Sequence, residues 1–203
     1  MLRRLSMYIL GAYVTLVAYN TIRFYINLPF QAVLTPVLTG LAFLFALVHS
    51  VERLTWRRAL ALLALCFGIS LLFESVGVAT GIFYGPYHYS NLLGPKFLNL
   101  VPYQIALAWF MMMYPSYVLA EWILSDNPGR GWSRDLAAAA IGGVIMTAWD
   151  LAMDPVMVAG GHWVWEAKGA YFGIPLQNFF GWWLTTFITF FLFRRLVVRA
   201  ERS

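Results

Sequence analysis

Six stretches of this chain are long and apolar enough to cross a lipid bilayer as helices, which leaves little room for another architecture. An α-helix needs about 20 mostly apolar residues to span the hydrocarbon core. The stretches lie at residues 7–26, 31–50, 59–79, 101–124, 135–157 and 174–195. They predict an all-α integral membrane protein, a single bundle of about six transmembrane helices formed by residues 1–203.

The composition agrees with a membrane protein. Only 11% of the residues are charged and 61% are hydrophobic, whereas soluble domains carry roughly a quarter charged residues. The single cysteine, Cys66, lies in an apolar stretch, which argues against a disulfide framework and a cysteine-based zinc cluster. The first apolar stretch is too long for a cleavable signal peptide, and no small-residue cleavage site closes it. We therefore expect a multi-pass protein of the cell membrane.

The basic residues predict the orientation of the bundle, because Lys and Arg are enriched in cytoplasmic loops. With the chain alternating between sides, eleven basic residues fall on one side: Arg3, Arg4, Arg53, Arg57, Arg58, Arg130, Arg134, Arg194, Arg195, Arg199 and Arg202. The other side has three: Arg23, Lys96 and Lys168. We expect both termini in the cytoplasm and the aromatic segments 80–100 and 158–173 outside. Charges at the ends of apolar stretches serve this orientation, so no nucleic-acid partner is expected.

Acidic and amide side chains gather at one depth near the outer side of the predicted bundle. Glu74 lies fifteen residues beyond Ala59, which corresponds to about 22 Å along a helix. Asp150 and Asp154 reach a similar depth and, being four residues apart, share one helix face. The fourth and sixth stretches begin at this depth with Tyr103, Gln104, Gln177 and Asn178. These positions predict a polar cluster inside the bundle.

Two interpretations apply to the acids. A carboxyl group within a bilayer is costly and normally faces the bundle interior, where it serves function. Alternatively, the acids hold the helices together by hydrogen bonds or cap helix ends. Three acids at one depth, with amides beside them, favour function. Glu121 differs, because it lies near the inner end of its stretch beside basic loops, and we expect it to form an interfacial ion pair.

The three histidines are weaker signals. His49 lies at the inner end of the second stretch, where a capping or interfacial role is expected. His88 and His162 occupy the two outer segments and suit a substrate contact as well as a hydrogen bond within an aromatic loop. Three histidines are too few for the iron sites of membrane desaturases and hydroxylases. No G-x-S-x-G, G-x-G-x-x-G or P-loop motif occurs, so we expect no metal ion and no cofactor.

The outer segments are rich in aromatic residues. Interfacial aromatic belts account for some of them, and the remainder would suit a flat, conjugated ligand or a nearby cation. They are Phe83, Tyr84, Tyr87, Tyr89, Phe97, Trp163, Trp165, Tyr171 and Phe172. Between the third stretch and this region, Gly77, Gly81 and Gly85 recur every four residues, which predicts close helix approach followed by a turn.

Acids in an apolar, aromatic cavity can perform one kind of chemistry without help from a cofactor. Desolvation favours the neutral form of a carboxyl group, and a neutral acid can donate a proton. An alkene is among the few groups of an apolar substrate that accept one. The resulting carbocation would be stabilised by aromatic faces and by a carboxylate, and water could trap it as a tertiary alcohol. The residues alone do not single out this hydration among the reactions open to a buried acid.

Four ordered blocks carry a family resemblance: FESVGVATGIFYGPYHYS (73–90), VPYQIALAW (101–109), WDLAMDPVMVAGGHWVW (149–165) and YFGIPLQNFFGW (171–182). With these blocks the chain resembles the membrane carotenoid-biosynthesis family that contains the carotenoid 1,2-hydratases of the bisanhydrobacterioruberin and γ-carotene types. The resemblance covers about residues 70–185. It implies the addition of water across the terminal double bond of a linear carotenoid ψ-end, which gives a tertiary alcohol.

The resemblance also implies the site residues. The acidic motif positions are Glu74, Asp150 and Asp154. The substrate contacts that it implies are Tyr87, His88, His162, Trp163, Trp165, Gln177 and Asn178. Tyr103 and Gln104 join the predicted contacts because they begin the fourth stretch at the depth of the acids. Our hypothesis is that one of the two aspartates protonates the alkene, while the other and Glu74 stabilise the cation. In this hypothesis His88, Gln177 or Asn178 positions the attacking water.

Several alternatives remain at this stage. A non-catalytic carotenoid-binding protein would use the same aromatic cavity, and an isomerase or cyclase would use the same carbocation. A proton-coupled transporter would use the same acids, but such folds are built from repeats and the chain has none. The expected partners are a linear carotenoid (lycopene, γ-carotene or a bisanhydrobacterioruberin-like compound) and membrane lipid. Assembly as a homo-oligomer or with other carotenoid enzymes is a further expectation.

Overall fold

The computed structural model describes residues 1–26, 33–126 and 131–199. Six long helices dominate it: α1 (Leu2–Ile26), α2 (Leu34–Leu54), α3 (Trp56–Thr80), α4 (Tyr103–Ile123), α5 (Trp132–Ala159) and α6 (Leu176–Phe193). A short π-helical segment, Arg194–Val198, continues α6. Four short strands lie in the two aromatic segments or directly after the first of them: β1 (Tyr87–Tyr89), β2 (Lys96–Phe97), β3 (Val101–Pro102) and β4 (Trp163–Trp165).

The predicted class is confirmed: the chain is an all-α, multi-pass membrane protein. Five helices, all except α4, are long and apolar enough to cross a membrane. Helix α4 has 21 residues and carries polar side chains at both ends, Tyr103 and Gln104 at one and Glu121 at the other. It lies inside the bundle against α2, α3 and α5, where such side chains find partners. The orientation stays a prediction, and two of its basic residues, Arg130 and Arg202, lie outside the described residues.

The helices pack in an order that leaves α1 at one side. Helix α1 packs mainly against α2, whereas α5 and α6 pack extensively against each other at the other side. Glycines allow that close approach: a Cβ atom on Gly142 would lie 2.4 Å from the Phe190 ring, and one on Gly143 would lie 2.7 Å from the Trp183 ring. The bundle is therefore packed most tightly between α5 and α6 and least tightly around α1.

The glycine series at the C-terminal end of α3 forms the predicted turn, but Gly77 makes its close contact with the segment that follows and not with a neighbouring helix. Gly77 lies against the Tyr84 ring, where a Cβ atom would come within 2.7 Å. Gly81 ends the helix in the left-handed region, with φ of 71° and an N–H that donates to the Gly77 carbonyl at 2.7 Å. A residue other than glycine rarely adopts this conformation. The chain therefore turns sharply into the first outer segment.

Two antiparallel strand pairs organise the outer segments. Strand β1 pairs with β4 in the register Tyr87↔Trp165 and Tyr89↔Trp163, and β2 pairs with β3. The β1–β4 pair joins segments that are more than seventy residues apart in the chain, as the register shows. It covers the end of the bundle at which α3 and α5 terminate, and we refer to residues 87–89 and 163–165 together as the lid.

At the opposite end, ion pairs connect α4, α5 and the π-helical segment. Arg194 contacts both Glu121 and Asp135, the latter at 3.0 Å, and Arg134 lies 3.6 Å from Glu121. The predicted ion-pair role of Glu121 is confirmed. His49 does not cap its helix: its Nδ1 shares a 2.7 Å hydrogen bond with the Tyr114 hydroxyl of α4, because the imidazole points to the neighbouring helix.

Candidate active site

A cavity of about 1030 Å³ runs beneath the lid and is lined by residues of all six helices. Its walls are mostly apolar and aromatic, which suits an elongated hydrocarbon. At the end formed by α3, α5, α6 and the lid lie two carboxyl groups, Glu74 and Asp154. At the end formed by α1 and α2, polar side chains such as Asn20, Thr39 and Gln104 line the wall.

Glu74, on the last turns of α3, is almost fully buried and accepts hydrogen bonds from three neutral groups. The Trp109 indole donates to Oε1 at 2.8 Å. The Tyr89 hydroxyl donates to Oε2 at 2.8 Å, and the Tyr87 hydroxyl donates to the same oxygen. Burial raises the pKa of Tyr87 and of Tyr89 well above the usual tyrosine value, so both phenols remain donors at neutral pH. This arrangement can hold a carboxylate without a neighbouring cation.

Asp154 lies on α5 and also accepts hydrogen bonds from neutral donors. The Trp163 indole donates to Oδ1 at 2.6 Å, and the Asn178 amide donates to Oδ2 at 2.8 Å. The same amide nitrogen donates to Oδ2 of Asp150 at 2.7 Å. Asn178 lies in the first turn of α6, and the close packing of α5 on α6 brings it to the two aspartates. One amide thus joins two carboxyl groups.

The lid supplies most of the donors that reach the acids. Because side chains alternate along a strand, Tyr87 and Tyr89 point to the same side of β1, as Trp163 and Trp165 do on β4. The register sets these residues opposite one another: the Tyr87 and Trp165 rings are 5.0 Å apart and the Tyr89 and Trp163 rings are 5.9 Å apart, centre to centre. Pairing of the two strands therefore places the hydrogen-bond donors for Glu74 and Asp154 on the same face of the lid.

Aromatic rings surround this end of the cavity. Trp109 and Trp182 stack with their centres 4.3 Å apart, and both line the wall beside Glu74. Tyr87 and Tyr89 meet edge to face at 5.3 Å. Stacked indoles and phenols present the electron-rich faces that attract a cation. Together with a carboxylate they form an environment in which positive charge on a bound hydrocarbon would be stabilised.

Most of the predicted site residues line the cavity. They are Glu74, Tyr87, Tyr103, Gln104, Asp154, His162, Trp163, Trp165 and Asn178. Gln104 donates to the Thr39 hydroxyl at 3.2 Å on the α1–α2 side of the cavity, away from the lid. Burial lowers the pKa of His162, so its imidazole is neutral at pH 7. The structure thus joins residues from four separate sequence blocks in one wall.

Three predicted residues lie off the wall of the cavity formed by the described residues. His88 is on the outer face of β1, exposed, with its Nδ1 3.3 Å from a Glu166 carboxylate oxygen. Gln177 donates to the backbone carbonyl of Gly81 at 3.0 Å and so completes the end of α3. Asp150 is fully buried behind Asn178. Each of these side chains has a neighbour that turns it away from the cavity.

Trp109, Trp182 and Tyr89 belong to the site but were not among the predicted contacts. Tyr89 appeared only as a member of an aromatic-rich segment, and Trp182 only as the last residue of the block 171–182. Trp109 lies two turns into α4, at the depth of Glu74, and donates its indole N–H to that acid. The signal available in the sequence was an indole N–H placed where the bilayer offers no water, so that it needs a protein acceptor.

A comparison with known protein families gives a match over most of the chain. Residues 30–203 match the profile of the family described as carotenoid biosynthesis protein. The chain belongs to this family. The match extends beyond residues 70–185 and includes α2, which the four sequence blocks did not cover.

One characterised relative adds detail. The chain is 36% identical, over 148 residues, to a protein of Haloarcula japonica named bisanhydrobacterioruberin hydratase. The aligned region is 72% of this chain and 48% of the relative, so the chain spans about half the length of that protein. No solved structure matches the chain.

Proposed function

We propose that this member of the carotenoid biosynthesis family is a carotenoid 1,2-hydratase. It would add water to the terminal double bond of a linear carotenoid ψ-end and give a tertiary alcohol. The observation that carries the proposal is the pair of buried acids, Glu74 and Asp154, that face an aromatic cavity and, among the described residues, accept hydrogen bonds from neutral donors only. The name of the Haloarcula japonica relative supports the same reaction type.

The first step is protonation of the alkene by Asp154. This acid lines the cavity, whereas Asp150 does not. The proton adds to the less substituted carbon, because the positive charge is then left on the tertiary carbon. General acid catalysis of this kind typically contributes about 10²- to 10⁴-fold to the rate. Asp154 becomes a carboxylate that remains held by Trp163 and Asn178.

The second step is capture of the carbocation by water. Glu74, held as a carboxylate by three donors, stabilises the cation together with the stacked Trp109 and Trp182. Water forms the new C–O bond and gives up one proton, which restores Asp154. Alkene, proton and water supply all the atoms of the product, so the scheme uses no cofactor.

The test is expression of the chain in a bacterial host that makes lycopene, followed by mass spectrometry of the extracted pigments. A gain of one water per modified end supports the proposal. Asp154→Asn should abolish this product, with His88→Gln as a matched control outside the cavity. If lycopene, γ-carotene and bisanhydrobacterioruberin all return unchanged while pigment copurifies, the protein is a carotenoid binder instead. Isomerised or cyclised product would point to a different fate of the same carbocation.

A further inference from the structure

Asp150 and Asp154 are neighbours on α5, yet the structure gives them different surroundings. Asp154 lines the cavity and could contact a bound alkene. Asp150 has 0% of its surface exposed and takes no part in the wall formed by the described residues. One of its oxygens, Oδ1, has no hydrogen-bond partner among these residues. An acid in this position cannot pass a proton directly to the substrate.

The partner of Asp150 is the Asn178 amide, and the hydrogen bonds fix its orientation. A primary amide has two N–H donors and one carbonyl acceptor. Both donors of Asn178 are used, one by Asp150 at 2.7 Å and the other by Asp154 at 2.8 Å. The carbonyl oxygen must then point away from both carboxyl groups. Since Asn178 also lines the cavity, the oxygen is the atom that it can offer there.

We propose that Asp150 is a positioning residue, which locks the Asn178 amide so that its carbonyl oxygen accepts a hydrogen bond from the attacking water. Without Asp150, half a turn of the amide exchanges its nitrogen and oxygen at almost unchanged shape. The inference rests on the proposed hydration. The proton moves from Asp154 to the alkene, the water oxygen bonds to the cation, and the released proton returns to Asp154. Asp150 and Asn178 end each cycle unchanged.

The experiment follows two products in deuterated water: the alcohol, and deuterium in the recovered alkene. Deuterium enters the alkene whenever the carbocation forms and then loses a different hydrogen, so it reports protonation alone. Wild-type protein should give both. If wild-type protein gives neither from any of the three carotenoids, the proposed function fails and the role of Asp150 fails with it. Alcohol from wild-type protein establishes the function, and the variants then test Asp150 separately.

Two isosteric variants should lose activity to different extents. Asp150→Asn keeps an oxygen that can accept from Asn178, so both products should fall by about tenfold or less, the effect of one weakened hydrogen bond. Asp154→Asn removes the proton donor, so both should fall by about 10²- to 10⁴-fold. Loss of deuterium incorporation in Asp150→Asn as complete as in Asp154→Asn would overturn the proposal.

A second pair of variants tests the amide itself. Asp150→Leu removes the acceptor and Asn178→Leu removes the amide, while both leave Asp154 in place. In each, alcohol should fall at least about tenfold relative to deuterium incorporation. Asp135→Leu is the matched control, since Asp135 is a buried acid at the inner end of the same helix, and structural damage there lowers both products in parallel. A parallel fall in Asp150→Leu and Asn178→Leu would contradict the positioning role.

Discussion

The indole N–H of Trp163 is the residue-scale feature that can be tested most cleanly. Trp163→Phe keeps an aromatic ring in the lid but removes the 2.6 Å hydrogen bond to Asp154. A hydrogen bond to a charged group is worth about 1.5–3 kcal/mol, so turnover should fall about 10- to 100-fold. Trp165→Phe is the matched control, because the Trp165 Nε1 is buried without a partner among the described residues. The measurement is the steady-state rate of alcohol formation by each variant. Equal losses of turnover in the two variants would contradict a role for the Trp163–Asp154 hydrogen bond.

His162 makes the folded state sensitive to acid. Burial lowers its pKa in the folded protein. Below about pH 6.5 the imidazole is therefore protonated in the unfolded chain while it is still largely neutral in the folded protein. Stability is therefore fully present above the ordinary histidine pKa and is lost as pH falls toward the lowered value. His162→Gln should reduce the loss of stability at low pH. His88→Gln should not, because the His88 side chain is exposed. Thermal unfolding in detergent between about pH 7.5 and about pH 5.5 measures it; identical pH profiles for His162→Gln and wild type would refute the assignment.

The acidic positions were predictable from the sequence because charge is rare in an apolar stretch. Their partners were not. Trp109 and Tyr89 look like ordinary membrane aromatics until the fold places their donors on Glu74. The different surroundings of Asp150 and Asp154 were also hidden, because a spacing of four residues specifies a shared face but not what covers it.

At the scale of the elements, helix α3 offers a matched pair of glycines. A Cβ atom on Gly77 would lie 2.7 Å from the Tyr84 ring, whereas one on Gly68 would meet nothing within 4 Å. Gly77→Ala should destabilise the protein by about 1–3 kcal/mol through overpacking. Gly68→Ala should be neutral or stabilising by up to about 1 kcal/mol, because alanine favours the helix. Thermal unfolding followed by circular dichroism gives both values, and a Gly77→Ala variant as stable as Gly68→Ala would show that Tyr84 moves aside freely.

The helices were predictable and the lid was not. Apolar length alone gave six helices within a few residues of their bounds. Strands β1 and β4 have three residues each and lie far apart in the chain, so no local periodicity marks them. Their pairing depends on how α3 and α5 pack together. That packing cannot be predicted from the residues of either strand.

At the scale of the whole molecule, the orientation in the membrane is the open prediction. The excess of basic residues at one end places both termini in the cytoplasm. In a Cys66→Ala background, Glu166→Cys should react with a membrane-impermeant maleimide on intact cells, because this side chain is exposed in the lid region. Asp126→Cys, exposed at the other end, should react only after lysis. The reverse pattern would invert the topology.

The pairing of β1 with β4 has a consequence for the order in which the cavity is completed during synthesis. Two of the three donors to Glu74 come from β1 and the third, Trp109, comes from α4, whereas the donor from the lid to Asp154 comes from β4. During synthesis at the membrane, α3 is inserted long before β4 leaves the ribosome. Asp154 consequently receives its complete set of donors only when β4 and the first turn of α6 have been synthesised. A nascent chain that stops before β4 therefore leaves Asp154 without Trp163 and Asn178, whereas Glu74 already has its donors from β1 and α4.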